Sequence, residues 1–178
     1  MNFIKSYFLG IKAQKARQKS LACERETFNY EQASSIGLLF RVANGNGEHQ
    51  YINQFVQGLK RDGKKVETLT FFDRTEDSPY DFPFNFFTEK DISNFGVFTS
   101  SKIHNFIEKK FDYLFCINLD EFEPFDLILS ASKAKCRIGK YDEQRAQLFE
   151  LMIQVEGNSI KQLIEQIQHY TKAICFNH

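Results

Sequence analysis

The stretch Phe111–Tyr141, FDYLFCINLDEFEPFDLILSASKAKCRIGKY, decides the fold. Tyr113 to Leu119 is nearly continuous apolar, the pattern of a strand covered on both faces. An acidic turn follows, Asp120-Glu121, and then a helical segment with Glu121, Glu123 and Pro124 in its first turn. Acids suit that end of a helix because its dipole is positive there, and proline fits because the first amides have no intrahelical partner. Ala131, Ser132 and Ala134 allow close helix–sheet approach, and Cys136 to Gly139 reads as a second strand. Strand, turn, helix, strand is one unit of a parallel α/β sheet. Its turn falls where such sheets bind ligands.

The same rhythm extends outward. Phe3, Ile4, Tyr7, Phe8 and Ile11 have helical spacing and predict an amphipathic helix over residues 2–19. A strand at Ile36–Phe40 ends in the loop Ala43-Asn44-Gly45-Asn46-Gly47. A helix carrying Ile52, Phe55, Val56 and Leu59 stops at Asp62-Gly63. Val66–Phe72 is the second strand. Residues 73–99 interrupt the alternation with Pro79, Pro83 and many rings, among them Phe84, Phe86, Phe87, Phe95 and Phe98. So many rings predict an excursion folded onto the body, with room for a short irregular strand. A helix near 101–110 follows, with Ser100-Ser101 at its N-cap position. A further strand lies at Leu151–Val155, and Ile160, Leu163, Ile164, Ile167 and Ile174 mark a C-terminal helix.

These elements predict an α/β fold: an open, mostly parallel, five-stranded Rossmann-like sheet with helices on both faces and a basic amphipathic helix in front. Residues 1–28 read as that helix and a linker, and 29–178 as a single domain. With right-handed crossovers the five strands fit the orders 2-1-3-4-5 and 3-2-1-4-5. In the first order, the 43–48 loop and the turn Asn118-Leu119-Asp120-Glu121 face one crevice.

Twenty phenylalanines and no tryptophan predict a phenylalanine-packed core. Formal net charge is zero but unevenly spread. Residues 1–19 hold Lys5, Lys12, Lys15, Arg17 and Lys19 and no acid, leaving 18 basic and 23 acidic residues elsewhere, a net of −5. A basic tail on an acidic body argues against a broad nucleic-acid surface. The tail suits an anionic membrane, with Phe3, Ile4, Phe8 and Ile11 in the interface, or packs on its own domain or on a second subunit. Cys23, Cys116, Cys136 and Cys175 form no CxxC pair and read as reduced thiols of a cytoplasmic protein. No apolar run is long enough to span a bilayer, and MNFIKSYFLGIK lacks an unbroken apolar signal region.

The candidate site residues cluster in the two loops. Asn44, Gly45, Asn46, Gly47 and His49 lie between a strand and a helix, where backbone amides could hold a phosphate. The spacing is neither GxGxxG nor GxxxxGK[ST], so a tight turn using glycine for positive φ explains it as well. Asn118 joins them as a ligand-binding candidate. Glu48, Asp120 and Glu121 are the candidate acid–base carboxylates, or else solvated turn and capping acids. His49, His104, His169 and His178 are scattered without HxxxH or HExxH spacing, and no metal site is expected. No cofactor is indicated.

Two segments carry a resemblance: SIGLLFRVANGNGEHQYINQFVQGLKRDGKKVETLTFF (35–72) and FDYLFCINLDEFEPFDLILSASKAKCRIGKY (111–141). Their layout resembles the N-terminal half of heptosyltransferase-type GT-B glycosyltransferases, with Asp112, Ala131, Ala134, Arg137, Ile138 and Gly139 at matching places. That resemblance implies a sugar- or nucleotide-handling site whose base is an aspartate after glycine. Here the nearest equivalent is Gly47-Glu48, and glutamate has a different reach. The donor nucleotide of such enzymes sits in a second Rossmann-like domain, so the resemblance extends to an isolated acceptor half. As a whole the chain is similar to a short family of uncharacterised bacterial α/β proteins. A non-catalytic binding or interaction module is the function expected first, and a GT-B-related enzyme second.

Overall fold

The computed structural model describes residues 3–19, 29–42, 48–72, 84–157 and 159–173. In chain order the helices are α1 (Phe3–Lys19), α2 (Glu48–Arg61), α3 (Ser101–Glu108), α4 (Glu123–Ala131) and α5 (Ile160–Ala173). The strands are β1 (Ser35–Val42), β2 (Lys65–Phe72), β3 (Phe86–Phe87), β4 (Tyr113–Ile117), β5 (Cys136–Lys140) and β6 (Leu151–Ile153). Short 3-10 turns occupy Glu89–Asp91 and Glu143–Leu148. All described strand pairs are parallel, in the order β3-β2-β1-β4-β5-β6.

The five expected strands are present in the first of the two orders above. The sheet has six strands rather than five, because the aromatic excursion contributes β3. That strand pairs with β2 only at Thr70–Phe86 and Phe71–Phe87. Its neighbours explain why it forms. Phe84 packs edge-on against Phe40 on one side of the sheet, while Phe87 packs against Phe71 and Phe125 on the other. Two rings on opposite faces hold a two-residue strand that backbone bonds alone would not.

Alternation along the central strands sorts side chains into two cores. Ile36, Leu38, Phe40, Tyr113, Phe115, Ile117 and Ile138 face α2 and α5, meeting Ile52, Phe55, Leu59, Leu163 and Ile167. Leu39, Leu69, Phe71, Leu114 and Cys116 face α3 and α4, meeting Ile103, Phe106, Phe125, Ile128 and Leu129. Helix α1 forms a further layer, packed on α4 and on the 143–148 turn. Cys116 and Cys136 lie buried in β4 and β5, as their strand positions predict. Burial pushes the Cys116 thiol up to about 11, which keeps it protonated and inert at neutral pH. Among the described residues no helix is long and apolar enough to cross a membrane.

Several local expectations shift. Helix α4 starts at Glu123 with Phe122 as its N-cap, so Glu121 lies before the helix rather than in its first turn. The helix ends at Ala131, which is exposed, and the close approach comes from buried Ser132 and Ala134 just beyond it. Ser100 caps α3 by position only, without a side-chain bond to the helix amides. Ile174 lies outside the described residues.

Asp112 sets the register at the sheet centre. Its Oδ2 accepts from the backbone N–H of Ser34 (2.9 Å) and Ser35 (3.0 Å), where β1 begins. Its Oδ1 accepts from Lys135 Nζ at 2.9 Å, next to the start of β5. Burial alone would raise this carboxyl, but the two amides and the lysine outweigh it and hold it below the usual aspartate range. A lowered folded-state pKa means the stabilisation is complete above the unfolded value, about 3.9, and is lost as pH falls through the folded value. Asp112→Asn should cost about 1.5–3 kcal/mol at pH 7. In urea titrations the gap between variant and wild type should narrow as pH falls through the lowered folded-state value, where the Asp112 carboxylate takes up its proton.

Gly37 and Gly139 are fixed by neighbouring rings. A Cβ on Gly37 would stand 2.8 Å from Phe111 Cδ2 and 3.0 Å from Leu114 Cδ1, and one on Gly139 would stand 2.5 Å from Phe149 Cε1. Both rings are buried, and Phe111 packs at a tilt against Phe106, so neither can withdraw freely. Gly37→Ala and Gly139→Ala should each destabilise by about 1–3 kcal/mol through overpacking. Their urea midpoints should fall while the slope of the transition stays unchanged.

Candidate functional site

Strand order reverses between β1 and β4, which pair from Ile36–Tyr113 to Phe40–Ile117. Both strands therefore end at one edge of the sheet. In open parallel sheets that reversal leaves a crevice, because successive crossovers go to opposite faces. The segment after β1 includes Asn44, Gly45, Asn46 and Gly47, which lie outside the described residues. Glu48 is the first residue of α2, and His49 beside it is exposed.

The β4 side is described in full. Asn118 Nδ2 donates to the Asp120 carbonyl at 2.6 Å, closing the turn. Lys140, at the end of β5, donates to the Leu119 carbonyl at 3.0 Å and ties the turn to the next strand. Asp120 and Glu121 are exposed. Glu121 accepts from Arg17 Nη2 at 3.2 Å. Arg41, near the end of β1, holds its guanidinium 4.9 Å above the Phe122 ring centre and 5.9 Å from that of Phe71. That arrangement sets the guanidinium charge against ring faces near the end of β1.

A second polar group lies just beneath, and the sequence reading missed it. Asp126 is fully buried in the mostly apolar helix EPFDLILSA. Its Oδ2 accepts from Arg17 Nε at 3.1 Å and also from Nη2. Its Oδ1 accepts from Arg145 Nε at 2.9 Å. Arg145 Nη2 stands 2.7 Å from the same oxygen but off the line of a good hydrogen bond, so that contact is an ion pair only. One buried carboxylate thus binds α1, α4 and the 143–148 turn together. An acid inside an apolar helical run was the available signal, since such a group is kept only when paired.

Arg137, part of the family-like Arg-Ile-Gly ending, is also structural. It forms a two-pronged pair with Glu150 (3.1 and 2.7 Å) and donates to the Leu129 and Gln147 carbonyls. Among the described residues no group of three or more His, Cys, Asp or Glu side chains could hold a metal ion.

A groove of about 450 Å³ lies elsewhere, between α2 and β2, lined by Asn53, Gln57, Lys60, Thr68, Phe84 and Asn85. It opens where β3, only two residues long, stops covering β2. It lies away from the strand-order reversal.

Comparison with known proteins gives a family match over residues 5–174, to the family of unknown function DUF6913. The chain belongs to that family. No curated protein and no solved structure matches it. The match begins within α1 and ends just past α5, so in this DUF6913 chain the helix that carries Arg17 falls inside the family region along with Asp126 and Arg145.

Removing the shared carboxylate would leave two cations facing each other, Arg145 fully enclosed. Asp126→Ala should cost about 3–5 kcal/mol. Thermal unfolding followed by circular dichroism checks this. Arg17→Ala, which leaves Asp126 paired with Arg145, should cost less.

Proposed function

We propose that this DUF6913 chain is a non-catalytic binding module whose ligand enters the crevice between the ends of β1 and β4. The observation that supports it is the adjacency of those two strands at the reversal of an all-parallel sheet. In such sheets ligands collect outside the carboxyl ends of the strands. A polar small molecule of the nucleotide or sugar-nucleotide class suits the crevice, with Arg41 and the Asn118–Glu121 turn at its rim. Binding is favoured over catalysis because several described polar groups are already used: Asn118 in its own turn, Lys140 on Leu119, Glu121 on Arg17. A cytoplasmic setting belongs to the same reading, supported by the buried thiols of Cys116 and Cys136.

A GT-B-related enzymatic reading is the second one. One observation favours it: Glu48 opens α2 and Asp120 follows β4, so both belong to the same sheet edge.

Amide NMR of the isotope-labelled chain with a panel of nucleotides and sugar nucleotides tests the proposal. Expected are shifts confined to His49, Asn118, Asp120, Glu121 and Arg41. Shifts confined to Asn53, Gln57 and Asn85, or none at millimolar ligand, would overturn it. Consumption of a sugar nucleotide that disappears in Glu48→Gln would favour the enzymatic reading instead.

A further inference from the structure

Helix α1 meets its domain with the side that its apolar pattern does not predict. The inward residues are Lys5, Leu9 and Ala13, at four-residue spacing. Lys5 Nζ donates to the Glu89 carbonyl at 2.8 Å, and Lys12 Nζ to the Gly96 carbonyl at 3.4 Å. Arg17 reaches Asp126 and Glu121. The apolar stripe turns outward: Ile4 is 54% and Tyr7 61% exposed, with Phe8 and Ile11 half-buried beside them. The side chain of Phe3 lies outside the described residues.

The 93–97 turn widens this stripe. Phe95 is 65% and Val97 49% exposed. Ring contacts make the surface continuous, Tyr7 to Phe8 at 5.9 Å and Phe8 to Phe95 at 5.6 Å. The turn is held against α1: Gly96 takes φ +65, and a Cβ there would meet Leu9 at 3.2 Å. Exposed apolar residues drawn from two separate chain segments into one patch mark an interaction site.

Charge selects the occupant. Helix α1 has no acidic residue. Lys15 is exposed on the outward side, one turn beyond Ile11. The nearby acids are engaged: Glu89 pairs with Lys5, and Asp91 caps Thr88. Two copies joined through α1 would set lysine against lysine. An anionic bilayer surface offers the opposite charge and an apolar layer at the depth that Tyr and Phe side chains favour.

We propose that the Ile4–Tyr7–Phe8–Ile11 face of α1, together with Phe95 and Val97, docks on an anionic lipid bilayer, with Lys15 against the headgroups. Docking of this kind is independent of the crevice and leaves α1 folded on α4. Two signals act together, apolar insertion and basic attraction, because either alone gives marginal and reversible binding.

Co-sedimentation of the full chain with vesicles tests this. Wild type should pellet with phosphatidylglycerol/phosphatidylcholine vesicles, and not with phosphatidylcholine alone, and should release at high salt. Lys15→Ala should weaken binding about fivefold, the share of one surface lysine. Tyr7→Ser with Phe95→Ser should abolish it, while Tyr51→Ser with Tyr170→Ser, exposed elsewhere, should not. The chain has no tryptophan. Phe95→Trp therefore provides a single indole whose emission should move to shorter wavelength with anionic vesicles. Absence of pelleting and of that shift would overturn the proposal, as would equal pelleting of the Tyr7→Ser/Phe95→Ser pair. So would concentration-dependent dimers lost in that pair, which would make a second copy the occupant.

Discussion

The junction of β1 with β4 governs this structure, and Asp112 is what secures it. A parallel pair has no hairpin to set its register, so something else must align two strands separated by more than sixty residues of chain. Asp112 does so by accepting the amides that open β1 while standing one residue before β4. It also receives Lys135 from the entry to β5. Three strands are thereby indexed from one buried carboxylate. The side-chain alternation that separates the two cores follows from that register, because a slip of one residue would exchange the faces. The shared end of β1 and β4 at the opposite edge also follows from that register.

Glycine matters here for a different reason than loop freedom. Gly37 and Gly139 lie inside buried strands and leave room for Phe111 and Phe149. A core built on phenylalanine needs such places, because rings are wide and strands are close. Phe111 follows α3, and Phe149 follows the 143–148 turn, so each ring fixes a crossover against the sheet. The unusual phenylalanine content is thus matched by absent side chains at particular strand positions.

Much of the architecture was legible because it is written in local periodicity. Tyr113–Ile117 is buried throughout, and Ile52, Phe55, Val56 and Leu59 form one helical face, as their spacing implies. Strand β3 was only anticipated as an irregular piece, since its two phenylalanines resemble their neighbours in an aromatic stretch. The direction of the α1 stripe was left open between a membrane, the domain and a second subunit, although its residues were identified. Periodicity says which residues share a face, not which face meets the domain. Here hydrogen bonds from Lys5 and the Arg17–Asp126 pair decide that instead. The partners of Asp126 could not be read locally either. Arg17 lies 109 residues away and Arg145 lies 19 away. Of the candidate site, the shared edge was accessible through strand order, while the engagement of Glu121 by Arg17 was not.

That last contact links the two surfaces. Arg17 stands at the C-terminal end of α1 and touches both Asp126, inside α4, and Glu121, in the turn at the crevice rim. The inner pair is shielded and the outer one is exposed, so they differ in strength and in salt sensitivity. High salt weakens the Glu121 contact first and leaves α1 anchored through Asp126. The rim turn then loses one restraint without α1 leaving the domain. Arg17 Nη2 serves both carboxylates, so α1 and the Asn118–Glu121 turn meet at one residue whose inner pairing is shielded and whose outer pairing faces solvent.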